Sequence, residues 1–541
     1  MIAQRMRLQE ILSRYIKPHG NDAIDPVQTL TLLIYNLAIG KSPLYELEQW
    51  CESIDLERIG VARHSTKPLR FNDDRFAKAL DKLYVADRAS LMTELVVAYI
   101  SEFGVALDEL HNDSTTIKAF GKIPGMTRSG LQLARGNSKD HRPDLKQLLY
   151  TLSISADGGI PIHHRCYAGN RTDDTTHIET WNTLRRIADR ADFLYVADSK
   201  VCSDEQLSHI CANGGRVVSV VPETWGEVGR FKDEQRRASK AKRIIWRRLK
   251  PNSEVEIEYF SVFTGNYLTE KRGYRIHWIY SSEKRKRDRS TREALLQKAE
   301  AELTRINSCL NTRQFKTEYD IRHAVDEIIS HCQVQGLISY KLGHSTRHIR
   351  KQQGKGRPSC ATTYYTVEQT AFNLTWSRDR TVLHQESQLD GIFPLLSTDT
   401  LLSAKQALQA YKYQPRLEKR FSQFKSIHHA APLLFKKIER VEANMFAFFI
   451  ALALQALLER EVRTRMHQDK IDRLYIYPED RECKRPTTSI IFDRFQAVSR
   501  YEIADSRGNI TDRLQDSLSD AQHDILDSLG IPEQEYWNAA K

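Results

Sequence analysis

The sequence predicts a mixed α/β protein whose helical ends enclose a strand-rich middle. Three observations carry that reading. Residues 1–104 space apolar side chains by threes and fours, as in LTLLIYNLAIG and LMTELVVAYISEFG, the period of a helix with one buried face. From about residue 106 the runs LLYTLSISA, IPIHHRCYA, FLYVA and RVVSVV are short and apolar between DGG, AGN and ANGG, which reads as strands separated by turns. From Thr400 through Leu458 the helical period returns.

Taken in order, Asp25 and Pro26 stand where a helix starts, because a first-turn proline gives up no hydrogen bond. In the middle region, DDTTHIETWNTLRRIADR reads as a helix capped by Thr172 or Asp173. The succession is strand, strand, strand, helix, strand, helix, strand, an α/β pattern. After Val221 it breaks. Residues 231–250 are rich in lysine and arginine, EVEIEYFSVF and YRIHWIYSS look like strands, and Ser290–Glu293 after KRKRDR reads as a capping box opening a helix. No acidic residue occurs from Ile328 to Val367, and KQQGKGRPS within that stretch reads as a mobile loop. Met445–Leu458 is apolar but only 14 residues long, short of the roughly 20 needed to span a bilayer, so it reads as a buried helix. The tail after Arg473 reads as a small accessory unit. The domain boundaries expected are 1–104, 105–222, 223–395, 396–465 and 466–541.

Composition narrows the class of function. The 541 residues are 28% charged and 40% hydrophobic, which excludes a chain that is mostly membrane-embedded or mostly disordered. Lysine and arginine number 81 against 70 acids, a net charge of +11, so the balance points to an anionic partner. The eight cysteines are scattered with no C-x-x-C pair, which argues against a zinc module or a disulfide framework and for a reducing cytoplasm. The first residues lack the apolar core of a signal peptide.

Two aspartates end predicted strands, Asp113 in LDELHNDSTT and Asp198 in DFLYVADSK. A carboxylate there sits at the sheet edge where open α/β sheets build their sites. A third acid comes from SAKQALQAYKYQPRLEKRFSQFK, where Tyr411, Glu418 and Lys425 recur at seven-residue intervals and so share one helical face, at the cost of a kink at Pro415. Asp140, Asp144, Asp173 and Asp174 rank lower, since none ends an apolar strand. His163, His164, His428 and His429 come in pairs without a third ligand and read as structural. The basic runs 231–250 and 284–292 are candidate phosphate contacts. Trp246 and Trp278 beside them read as core, with base stacking as the alternative.

These residues bring a family into view. The spacing Tyr411, Gln414, Glu418, Lys425 resembles the Y-(2)-R-(3)-E-(6)-K motif of a group of DDE-type insertion-sequence transposases. Gln414 replaces the arginine, with Arg416 two residues further on. Residues 136–161, 167–177 and 390–421 are similar to segments of the same enzymes. The resemblance implies an RNase H-like α/β core with a helical DNA-binding N-terminal domain, a basic β-rich insertion at about 223–395 and a helical C-terminal part. The separations fit: 198 − 113 = 85 residues, and 418 − 198 = 220, room for an insertion. It implies Asp113, Asp198 and Glu418 as catalytic metal ligands for two Mg²⁺ ions (Mn²⁺ substituting), with Asp113 bridging both. Tyr411, Lys425, Arg416, His141 and Arg142 are then candidate DNA contacts, although a structural loop role also suits His141 and Arg142. The partners implied are DNA (terminal inverted repeats and target) and a second copy in a synaptic dimer, with no membrane, in a bacterial cytoplasm at the nucleoid. The alternatives are an inactive DNA-binding relative and an RNase H-like nuclease without strand transfer.

Overall fold

The structure, a computed structural model, describes all residues except 21, 23, 40–41, 61–70, 120–124, 137–143, 173–174, 251–254, 361, 428–434, 507–509 and 538–541. Asp140, His141, Arg142, Asp173, Asp174, His428 and His429 therefore lie outside the described residues. The fold is mixed α/β. It divides into a unit formed by residues 1–219 and 407–541 and a unit formed by 220–406.

In the first unit, β1 (Glu109–Ala119), β2 (Lys146–Ser155) and β3 (Pro161–Ala168) form an antiparallel meander, and β4 (Leu194–Val196) and β5 (Arg216–Val220) follow helices His177–Ala188 and Asp204–Ala212. Their order in the sheet is β3-β2-β1-β4-β5, with β1, β4 and β5 parallel. The expected succession of elements is present. The caps differ. The helix after β3 begins at His177 with Thr176 as N-cap, four residues beyond the expected Thr172, and only the helix Pro26–Ile39 starts where read, with Asp25 accepting from the Val27 amide at 2.8 Å.

The core of this unit is the helix Ile438–Gln468. By length and hydropathy it could cross a membrane, but 94% of its apolar window is buried against the helices Pro26–Ile39 and Asp73–Val85 and against β3. Its all-round apolarity is what a fully enclosed helix requires. Phe424, fully buried, stacks on Tyr150 of β2 at 4.7 Å and meets Phe448 of this helix edge-on at 5.1 Å. The tail folds onto the same unit: helix Asp520–Ser528 packs on the long helix, and Arg500 pairs with Asp55 at 2.6 Å.

The second unit orders β6 (Lys242–Leu249), β7 (Glu256–Phe263), β8 (Arg275–Ser281) and β11 (Ile392–Ser397) as antiparallel neighbours. Between them lie two long helices and a separate two-stranded ribbon of β9 (Ile338–Gln352) and β10 (Tyr364–Arg378). The first helix runs Ser282–Ser308 with Ser281 capping the Lys284 amide, so the capping-box reading at Ser290 placed its start too late. KRKRDR is helical because Lys284–Asp288 and Lys286–Glu283 pairs offset its charge. Trp278 is buried flat on Phe231 at 3.7 Å, and Trp246 stacks on Phe260 at 5.2 Å; both are packing residues.

Candidate active site

Asp113 does not end its strand. It sits in the fifth position of an eleven-residue β1, because β1 stays paired with β2 through Ala119. What ends near Asp113 is the other edge: β1 and β4 pair in parallel only from Glu109↔Leu194 to His111↔Val196. Asp113 and Asp198 each lie two residues beyond that last rung. Both aspartates thus lie just past the carboxyl end of a parallel pair, where open α/β sheets build their sites.

Asp198 begins a short 3₁₀ turn and accepts from the Lys200 amide at 3.1 Å. Its backbone carbonyl accepts from Ser219 Oγ on β5 at 2.8 Å, and buried His177 Nε2 lies 3.8 Å from its carboxylate. Asp113 is half-buried and accepts from the Ser114 amide at 2.7 Å.

The third acid arrives on a helix that is shorter than the periodicity predicts. One helix ends at Tyr411, Lys412–Gln414 form a turn, and a new helix runs Pro415–Ser422. Pro415 is the first residue of that new helix, a position where its missing N–H costs nothing. Lys425 then falls in a single turn of π-helix, Gln423–Ile427. The seven-residue spacing therefore does not mark one continuous face.

Tyr411 and Glu418 nevertheless stay together electrostatically. Burial pushes the Tyr411 phenol above its ordinary range, and the negative charges of Asp198, Glu418 and Asp113, in that order, push it further. All three candidate carboxylates thus act on one half-buried tyrosine. Glu418 itself is exposed, and Lys425 is half-buried. Arg416 lies over the ring of Tyr413 at 6.0 Å.

The helix Pro415–Ser422 is held by residues that periodicity did not single out. Gln414 Nε2 donates to the Asn112 carbonyl at 3.1 Å, which turns its Oε1 to buried His111 Nδ1 at 3.0 Å. His111 Nε2 in turn faces Glu109 at 2.8 Å. Gln414 presents its oxygen to His111 and its amide N–H to the Asn112 carbonyl, whereas an arginine has donors only and no oxygen to present. The departure from the arginine of the motif thus has a local reason: the residue clamps the helix to β1 one residue away from Asp113.

On the opposite face, Arg420 is 5% exposed. It donates to the Gly158 and Gly159 carbonyls, each at 3.1 Å, and reaches Glu459 of the long helix at 3.2 Å. Burial disfavours the Glu459 carboxylate, but Arg420 and Arg463 and the Thr488 amide hold its ionisation below the ordinary range. A charged residue on the helix's inner face was the available signal for this anchor.

Among the described residues, no three His, Cys, Asp or Glu side chains gather closely enough to hold a metal ion. In kind, the donors at Asp113, Asp198 and Glu418 fit a hard divalent cation, which takes carboxylate oxygen. His163 and His164 are buried in β3; burial, with Arg165 and Arg186 adding to it, holds His163 down to about 3. No cysteine among the eight is bonded to another.

Residues 1–97 match the model of the family described as Domain of unknown function (DUF4277). No curated protein matches the sequence. Among solved structures, a cryo-EM piggyBac transposase synaptic complex with hairpin DNA aligns over 84% of this chain and 74% of that chain. Its TM-score is 0.38 and its identity 8%, a likeness too slight to bear on function.

Proposed function

We propose that the chain is a DDE-type insertion-sequence transposase with an RNase H-like core, which binds the ends of its element, cuts them and joins them to target DNA. The observation that carries this reading is the position of Asp113 and Asp198, each two residues past the last rung of the parallel β1–β4 pair, with Tyr411 of the Glu418 segment raised by the charges of Asp198, Glu418 and Asp113. One further point supports it. Three antiparallel strands followed by two parallel ones separated by helices are what such a core needs.

On this reading Asp113, Asp198 and Glu418 would hold two Mg²⁺ ions, Mn²⁺ substituting, which when bound activate the attacking water and stabilise charge on the leaving oxygen. Tyr411, kept protonated by burial and by the three carboxylates, donates a hydrogen bond to the phosphate at the cut. Lys425 adds positive charge beside it, and Arg416 is placed to contact the backbone further along. Hydrolysis breaks the P–O3′ bond and frees a 3′-hydroxyl. That hydroxyl then attacks a target phosphate, forming a new P–O bond as the target's own 3′-oxygen leaves with a proton. Gln414 and Arg420 touch no DNA and keep the Glu418 helix in place. The acting species is a dimer that pairs two ends.

The test is divalent-metal-dependent cleavage and strand transfer on the element's own ends, with Asp113→Ala, Asp198→Ala and Glu418→Ala compared and end binding followed in parallel. Loss of chemistry with binding intact is expected. Normal activity in Glu418→Ala overturns the ligand set; nicked products with no joined strands favour a nuclease; binding without cutting favours an inactive relative.

A further inference from the structure

The ribbon of β9 and β10 is a long, largely exposed element of the second unit. Fifteen residues in each strand make it roughly 50 Å long at the rise of an antiparallel strand. Its two strands pair only with each other. The inner half is anchored. Ile338 and Leu374 are buried in a cluster with Leu296, Leu303, Ile321 and Val325, and Asn311 both donates to and accepts from the Phe372 backbone at 2.9 and 2.6 Å.

Beyond Ser345↔Ala371 the support stops. From Thr346 to Thr370 no described residue is buried, and an unsupported two-stranded hairpin is marginally stable in water. This outer half carries Arg347, Arg350, Lys351, Lys355 and Arg357. Its one acid, Glu368, is turned to His348 across the strands at 3.8 Å. Among the described residues none of the five cations faces a carboxylate within ion-pair distance. Register places Arg347 and Lys351 on one face and Arg350 on the other, with Lys355 and Arg357 at the tip. Tyr364 and Tyr365, about half exposed, add hydroxyl donors.

We infer that the outer half of this ribbon is a binding arm for duplex DNA, seated in the major groove. The inference rests on the proposed function only for the identity of the partner. A flat anionic surface, such as a lipid headgroup layer, would gather the cations on one face. Cations on both faces of the ribbon and at its tip fit a groove walled by phosphates on both sides. The major groove of B-form DNA, about 12 Å wide, admits a two-stranded ribbon, whereas the major groove of duplex RNA is too narrow for side chains to read.

The experiment measures binding of the full chain to a fluorescein-labelled 30-base-pair DNA duplex of arbitrary sequence across a salt series. The variants are the triple change Arg347→Gln, Arg350→Gln, Lys351→Gln and a truncation replacing 346–370 by Asn-Gly between Ser345 and Ala371. A control removes three exposed cations elsewhere (Arg465→Gln, Lys470→Gln, Lys484→Gln). At about 0.9 units of salt slope per phosphate contact, the triple variant is expected to flatten the slope by about 2 to 3 and weaken binding about tenfold or more at 100 mM salt. The truncation should lose at least as much, with the control within about twofold of wild type. Unchanged binding in the triple variant and truncation overturns the inference, as does an equal loss in the control. Tighter binding to duplex RNA or to anionic vesicles overturns it in favour of those surfaces, and a change of oligomeric state with binding retained does so in favour of self-association. A chain that never cuts DNA but loses duplex binding with the arm removes the transposase reading and leaves this one standing.

Discussion

The carboxylate site and the outer ribbon are built by opposite means. The helix that carries Glu418 is held on both sides: Gln414 bridges His111 and Asn112, and Arg420 reaches two carbonyls and Glu459. From Thr346 to Thr370 the ribbon has register and little else. A site that positions reacting atoms needs neighbours that fix it before anything binds, whereas an arm that meets a long polyanion can leave its final order to the partner. The contrast teaches where damage should show: in chemistry and stability for the first region, in association for the second.

The most severe way to test this is at the carboxylates. Asp113→Ala or Asp198→Ala should lower strand cleavage by about ten-thousand-fold, some 5 kcal/mol of transition-state stabilisation. The melting temperature should stay near that of wild type; a large fall would make these residues structural. Next, Glu459→Ala leaves Arg420 buried without its carboxylate and should cost about 3–5 kcal/mol in urea unfolding. A cost below about 1 kcal/mol would mean the anchor is not what holds the helix.

His163 gives a pH-dependent version. Its folded-state ionisation lies at about 3, below the ordinary value near 6.5, so the unfolded chain binds the extra proton and stability falls as pH drops from about 6.5 towards 3. Between pH 7 and pH 5 the loss attributable to it is about 2 kcal/mol, and His163→Gln should flatten that part of the profile. Gln414→Ala, losing the bonds to His111 and Asn112, should cost about 1 kcal/mol and slow cleavage up to tenfold while end binding is retained. The smallest effect is in the ribbon, where the triple glutamine variant should change unfolding free energy by less than about 0.5 kcal/mol; a larger cost would mean the arm is part of the packed unit after all.

Much of this was legible in the residues. Strand runs such as LLYTLSISA and RVVSVV identified β2 and β5, and Met445–Leu458 identified the buried helix, because both elements carry their burial in their hydrophobic period. Tyr411, Glu418 and Lys425 were legible as a motif but misread as one helical face, since the break at Lys412–Gln414 and the π turn at Gln423–Ile427 are tertiary compromises with the phenylalanine packing beneath. Asp113 was misjudged as a strand end because the sequence shows where a strand is apolar and not which of its two edges stays paired. The roles of His111, Gln414 and Arg420 depend on partners up to 303 residues away, which no local pattern encodes.

The shared rung His111↔Val196 has one more consequence. Both aspartates are reached by counting two residues from it along their own chains, so the constraint at this place is on number rather than on chemistry. Replacing Asn112 or Ala197 by another side chain of suitable size leaves the count intact. Deleting Asn112 turns Asp113 to the opposite face of the sheet, and deleting Ala197 moves Asp198 one residue closer to the rung. Aligned natural variants should then show substitutions between the rung and each aspartate, and no insertions or deletions.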